Sequence, residues 1–408
     1  MEGAYFRKGF GLKGEIEGLL TADYHSGLID AFKNNRYALS TGKLTFRLAR
    51  EFGFCYGVDR AVEYAYETRA KFPERQLYLV GEIIHNPHVN RKLESMGVRF
   101  LHRADDGSFD FSSIRPDDVV ILPAFGVTIG DFERLRASGA VLVDTTCGSV
   151  LNVWKRVERY ARDGFTAIIH GKHWHEETKA TASQVTKHSR GRYLVVLDMA
   201  EAREVCDFIE HGGDPAEMAT RFGPVASEGF DFATDLERVG VANQTTMLSS
   251  ESLAIAEELR QTMIRRYGAE QESERIRTFD TICSATQERQ DAVVELLDEP
   301  LDVMVVVGAT TRATPPTWPR CAGAGGGHLP HRGRRVHRSL RRGHPPQAQQ
   351  RSGRGAHLGL ARGRGPDRDH GGGVDPEQQD RRDRGADLPL GRGESGRARP
   401  LTGRRARR

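Results

Sequence analysis

Nowhere in this sequence do apolar residues run for the roughly 18 positions that a membrane-spanning helix needs. The first residues, "MEGAYFRKGFGLKGEIEG", hold neither an apolar leader core nor a Ser/Arg-rich transit pattern. Cysteine is scarce as well. Five in 408 residues are too few for a disulfide-stapled scaffold, so a reducing, cytoplasmic setting is expected. Large apolar residues are missing from one region. From Cys321 to Arg408 there is no Ile, Met, Phe, Tyr, Trp or Lys, while 21 Arg and 19 Gly stand against 8 acidic residues. That stretch carries +13, which leaves −9 on the preceding 320 residues of a chain whose total is +4. With so little to bury, it cannot offset the entropy of ordering its backbone. The acidic body, by contrast, is long enough for a sizeable core and two or three domains.

Within the body, short β-branched runs alternate with amphipathic stretches. "QLYLVGEIIHN" (76–86), "DDVVILPAFG" (117–126), "AVLVDTTC" (140–147), "FTAIIHG" (165–171), "YLVVLD" (193–198) and "LDVMVVVG" (301–308) are nearly all apolar. Strands covered on both faces read this way. Between them, "DRAVEYAYETRAKF" and "SVLNVWKRVERYARDG" carry helical periodicity, the second closed by Gly164. The expected class is α/β with parallel sheets.

Asp-Thr-x-Cys occurs twice, at Asp144–Cys147 and Asp280–Cys283, each time at the threshold of a helix. A third copy of the same unit is "GFCYGV" with Cys55. In each, a cysteine is followed by a helix and then a strand, which predicts a pseudo-threefold arrangement with one thiol from each lobe. Helix N-terminal amides favour an anionic sulfur and lower a thiol pKa. Three thiolates on one axis would repel without a cation between them. Zinc usually has some ligands at short spacing, whereas these gaps are 91 and 135 residues, so an iron–sulfur cube with one open iron fits at least as well. Cys206, in "REVCDFIEH", reads as packing.

The carboxyl ends of parallel strands are where ligands gather. There lie His85 in "GEIIHNPHVN", His170, His173, His175, Glu176 and Glu177 in "HGKHWHEETKAT", and Thr245 and Thr246 in "VANQTTMLSSES". Histidines suit an anionic substrate, and a neighbouring carboxyl can relay protons. "PAFGVT" offers only Phe125 in the matching place.

Taken in order, "GFCYGVDRAVEYAYE", "GEIIHNPHVNRKLESMGVRF", "DTTCGSV", "HGKHWHEETKATAS", "NQTTMLSSES" and "DTICSATQERQDAV" resemble the 4-hydroxy-3-methylbut-2-enyl diphosphate reductase family. The likeness runs from about Tyr5 to Gly308. The N-terminal extension and "PAFG" resemble its cyanobacterial and plant branch, in which Phe replaces a histidine. The resemblance implies three lobes around a [4Fe–4S] cluster, with Cys55, Cys147 and Cys283 as ligands. It implies His85 and His175 as diphosphate-binding residues, Glu177 as the proton relay and Thr245 near the substrate hydroxyl. The implied activity is reductive dehydroxylation to isopentenyl or dimethylallyl diphosphate, with electrons from a ferredoxin or flavodoxin and no membrane or nucleic-acid partner.

After Gly308 the pattern departs. The family's "VVGGxNSSNT" is replaced by "VVVGATTRATPPTWP". Regrouping the codons that can encode Ala309–Pro319 permits G-Y-N-S-S-N-T-T-H-L-A. Regrouping those for His370–Asp380 the other way permits T-A-G-A-S-T-P-N-N-K-I. Two missing motifs thus sit in other frames, and an out-of-frame GC-rich gene explains the Arg/Gly excess. The competing reading, three cysteines on zinc with a basic tail that engages nucleic acid, explains neither hidden motif. The expected organisation is an N-terminal extension (1–44), lobe 1 (45–143), lobe 2 (144–279), a truncated lobe 3 (280–308) and a disordered tail (309–408) without sheet strands.

Overall fold

The structure, a computed structural model, describes residues 4–105, 107–279 and 281–307, together with the backbone of His357–Ala361. Its strands in chain order are β1 (Tyr5–Phe6), β2 (Ala38–Thr41), β3 (Leu44–Leu48), β4 (Leu77–Val80), β5 (Val98–Leu101), β6 (Val119–Leu122) and β7 (Val141–Asp144). There follow β8 (Thr166–His170), β9 (Tyr193–Val196), β10 (Val239–Asn243), β11 (Ile276–Thr278), β12 (Val303–Val306) and β13 (His357–Ala361). Sheet 1 has the order β1-β7-β6-β4-β5 and sheet 2 the order β11-β10-β8-β9. Every pairing in both is parallel.

Sheet 1 shows why its strands read as continuous apolar runs. Leu77 and Leu79 of β4 pack with Val119 and Ile121 in one core. The alternate residues Tyr78 and Val80 pack with Val120 and Leu122 in another, on the opposite face. Sheet 2 is built alike, with Ile168 in one core and Ala167 and Ile169 in the other. Each such buried aliphatic side chain is worth roughly 1.5–3 kcal/mol.

The third sheet differs from the expected parallel arrangement. It has the order β12-β13-β3-β2 and is antiparallel throughout. The β2–β3 hairpin turns on Gly42, at φ +55, between the paired Thr41 and Leu44. A two-residue loop opening on glycine is the turn that the twist of a hairpin favours. The expected boundary at residue 44 therefore cuts a hairpin. The tail expectation falls mostly outside the described residues. Within it, His357–Ala361 is a strand that the reading did not foresee, joined to β12 and β3 by backbone pairing. Sheet 3 has a thin core of Ala49, Ala292, Val293, Leu296, Leu301 and Met304, while Val303 and Val305 are 42% and 38% exposed.

The threefold repeat has a topological form. The chain leaves β3 of sheet 3, passes Cys55 and the helix Tyr56–Lys71, and enters β4 of sheet 1. It leaves β7 of sheet 1, passes Cys147 and the helix Gly148–Arg162, and enters β8 of sheet 2. It leaves β11 of sheet 2, passes Cys283 and the helix Ser284–Leu297, and enters β12 of sheet 3. Each cysteine thus marks a crossing from one sheet to the next, and each following helix packs on the sheet it leads into. Among the described residues no helix is long and apolar enough to cross a membrane.

Candidate functional site

All three crossing cysteines occupy the N-cap position of their helix, in extended backbone and with no side-chain capping bond. The Cys55 and Cys147 sulfurs are therefore free of the local bond that Ser or Asp would make in that place. Cys55 and Cys147 come together at Gly57. A Cβ built on Gly57 would stand 2.5 Å from Cys147 Sγ and 3.9 Å from Cys55 Sγ. The Cys147 turn is braced from behind: Asp144 accepts bonds from the Thr146 amide (2.9 Å) and from Tyr5 Oη (2.5 Å). Arg7 lies 3.4 Å from the same carboxylate.

Cys283 bonds Thr286 Oγ1 at 2.9 Å, and its amide donates to the Thr245 carbonyl at 3.5 Å. Burial pushes its thiol pKa up, the fields of Cys55 and Glu177 add to that, and the two Thr286 bonds oppose it. Helix amides were expected to lower it; desolvation and like charges outweigh them at this cysteine. A cation among the three sulfurs would reverse that balance. Among the described residues no group of three or more His, Cys, Asp or Glu is placed to hold a metal ion. Cys206 is elsewhere, buried in sheet 2's core, with its thiol pushed up to about 11 chiefly by burial.

The polar side of the site centres on two histidines. His175 caps the helix Glu176–Val185, its Nδ1 accepting from the Glu177 amide at 3.1 Å. Its Nε2 faces His85 Nε2 at 3.1 Å, and His85 Nδ1 lies 2.8 Å from Glu82 Oε2. These contacts fix one order of protons: His175 carries its N–H at Nε2 and donates to His85, which donates from Nδ1 to Glu82. Burial, with the fields of His85, Lys172 and Lys179, pushes His175 down to about 3, so it is neutral. Phe125 stacks on His85 with ring centroids 4.5 Å apart and 14° between planes. Beyond this pair a cavity of about 370 Å³ opens, lined among others by Glu82, Asn90, Arg91, His102 and Arg103.

Glu177 is 3% exposed, and its Oε1 accepts from the Thr245 amide at 2.6 Å. Burial pushes its carboxyl up to about 6, against the Thr245 bonds and the field of His85. A buried carboxyl poised there can hold and release a proton near neutral pH. The structure thus brings Glu177, Thr245, His85, His175 and Cys283 into one neighbourhood. Other residues of the same motifs turn away. Glu176 forms a forked ion pair with Arg103, with both carboxylate oxygens 3.0 Å from Nε. His173 packs edge-on against Trp174. Thr246 accepts from Gln244 Nε2, and His170 is fully buried against Ser252. The serines and asparagine of the family's third-lobe motif are absent from the sequence itself, which reads ATTRATPPTWP over 309–319. Glu82, Gly57 and Asp144 were missed as site residues, although Glu82 stands three residues before His85 in a quoted motif.

The "LytB protein" family model matches residues 46–313. The chain is 52% identical over 307 residues to the 4-hydroxy-3-methylbut-2-enyl diphosphate reductase of Gloeobacter violaceus, covering 74% of this chain and 72% of that one. It is 49% identical over 304 residues to that of Gloeothece citriformis and 50% identical over 304 residues to that of Thermosynechococcus vestitus. Both alignments cover 74% of either chain. A solved (E)-4-hydroxy-3-methyl-but-2-enyl diphosphate reductase overlays with a TM-score of 0.45 at 25% identity, over 71% of this chain and 79% of that one.

Proposed function

The chain belongs to the LytB family, and on that premise we propose how it carries out the family's reaction. The reaction is the reductive dehydroxylation of 4-hydroxy-3-methylbut-2-enyl diphosphate to isopentenyl and dimethylallyl diphosphate, the last step of the methylerythritol phosphate route. Two electrons and two protons enter and one water leaves.

Cys55, Cys147 and Cys283 would hold a [4Fe–4S] cluster, which when bound supplies the electrons and a Lewis-acidic iron. The chain's own groups do the rest. His85 and His175 turn their Nε2 atoms toward each other and take the diphosphate between them as it enters. His175 then redirects its Nε2–H to a phosphate oxygen while its Nδ1 stays committed to the Glu177 amide. Thr245 orients the substrate hydroxyl, and Glu177 delivers a proton to the departing oxygen. Sheltered from water, that proton is not lost to solvent before the electrons arrive.

The observation that carries this reading is the placement of Glu177: a protonatable, buried carboxyl held by Thr245, between the histidine pair and Cys283. A ferredoxin or flavodoxin as donor and a cytoplasmic location complete the proposal. The test is anaerobic purification with assays for iron, acid-labile sulfide and visible absorbance, followed by turnover of a frame-corrected chain with a low-potential reductant, since the chain as written is expected to be impaired. Bound zinc without inorganic sulfide would end the cluster assignment.

A further inference from the structure

We propose that Gly57 is a positioning residue for the cluster: its missing side chain is the space in which the Cys147 sulfur reaches the N-terminus of the Cys55 helix. The inference rests on the cluster reading above and adds a residue to it. Gly57 is the second residue of the helix Tyr56–Lys71, and it is not among the glycines with positive φ. Its backbone could be adopted by any residue, and alanine would favour the helix. Conformation therefore does not account for a glycine here. Nearby Gly53 is the opposite case, at φ +75 with open space around it. Gly53 answers to backbone conformation and Gly57 to room.

What fills that room is specific. The nearest atoms to a built Cβ are Cys147 Sγ at 2.5 Å, Cys147 Cβ at 3.4 Å and Cys55 Sγ at 3.9 Å. A separation of 2.5 Å is far inside van der Waals contact, so one of the two must move. The Cys55 helix is anchored by Ala61, Val62, Ala65 and Tyr66 in the core of sheet 1. The Cys147 turn is anchored through Asp144 to Thr146, Tyr5 and Arg7. Neither element has slack, and the sulfur is the atom displaced. The same geometry puts Cys147 Sγ against the first turn of two helices, its own and that of Cys55, where amide dipoles favour negative charge. A methyl group at residue 57 removes the second of these.

The experiment compares Gly57→Ala with the parent in the full chain by three readouts. The first is iron and acid-labile sulfide bound per chain after anaerobic reconstitution. The second is bridging of Cys55 to Cys147 in the cluster-free chain by a short bis-alkylating reagent, mapped by mass spectrometry. The third is thermal unfolding of the cluster-free chain, with and without Cys147→Ala. Loading and bridging are expected to fall about tenfold or more, the scale of an overpacked contact. Any loss of thermal stability is expected to vanish in the Cys147→Ala background, because the clashing atom has gone. Equal loading and bridging by parent and variant would overturn the role of Gly57 while leaving the cluster reading intact. A stability loss that persists without the Cys147 sulfur would overturn it as well. A parent that bridges its thiols but binds neither iron nor sulfide would sink the cluster reading, and bridging would still decide the part played by Gly57.

Discussion

Replacing Glu177 with Gln should move stability and turnover in opposite directions, and the sign follows from its environment. The ordinary value of the carboxyl is 4.5, and in the fold it is pushed up to about 6, chiefly by burial. That gap corresponds to roughly 2 kcal/mol at 1.36 kcal/mol per pH unit. A carboxyl whose folded value is raised adds stability that is fully present below its unfolded value. That contribution is lost as pH rises through about 6. Glutamine keeps an oxygen to accept from the Thr245 amide and has no charge to desolvate. The variant should therefore gain about 2 kcal/mol relative to the parent between acidic and slightly alkaline pH. At roughly 2–4 °C per kcal/mol this is visible in thermal unfolding of the cluster-free chain at the two pH values. In a frame-corrected protein the same substitution should lower turnover by about 10²-fold or more, since an amide cannot act as the acid. The spectrum should not change. A variant less stable than the parent at alkaline pH would refute the burial argument, and near-normal turnover would remove Glu177 from the proton path.

Cys55→Ser, Cys147→Ser and Cys283→Ser should each abolish iron and sulfide binding, whereas Cys206→Ser should leave it unchanged; comparable loss at Cys206 would break the threefold argument. His175→Ala should raise KM for the diphosphate substrate by about 10- to 100-fold, the worth of a lost hydrogen bond to a charged group. It should also cost about 1 kcal/mol of stability through the lost helix cap. His175→Asn should recover the stability and not the KM, and an Asn variant with normal KM would assign His175 to structure alone. The 408-residue chain should be poorly soluble or inactive, because Val303 and Val305 remain 42% and 38% exposed. A frame-corrected chain that covers them should gain about 1 kcal/mol for each, the two-fifths of full burial still outstanding. Full activity of the uncorrected chain would overturn the frameshift reading.

The parts of this fold that could be read from sequence are those where one local pattern had one physical meaning. An unbroken run such as "VVIL" needs cover on both faces, and Val119 and Ile121 do face one core while Val120 and Leu122 face another. The cysteine repeat was legible for a similar reason, since a residue at a helix threshold keeps its place whatever the helix packs against. Sheet 3 was not legible, because its partners come from three distant parts of the chain. Backbone pairing, which leaves little trace in side chains, joins β3 to β13 and β13 to β12. The β2–β3 hairpin did carry a signal in Thr41-Gly42-Lys43, hidden by treating the first 44 residues as a single extension. Those residues are not passive. Tyr5 and Arg7 reach the Asp144 carboxylate, whose other oxygen holds the Thr146 amide beside Cys147. Glu82 was missed for a related reason: a carboxylate three residues before a histidine is common, and only the fold shows that His175 meets the other nitrogen of that ring. The site is thus a second layer of contacts around residues that motifs could name. That layer fixes which nitrogen of each histidine carries its proton, and it holds the turn beside Cys147 in place.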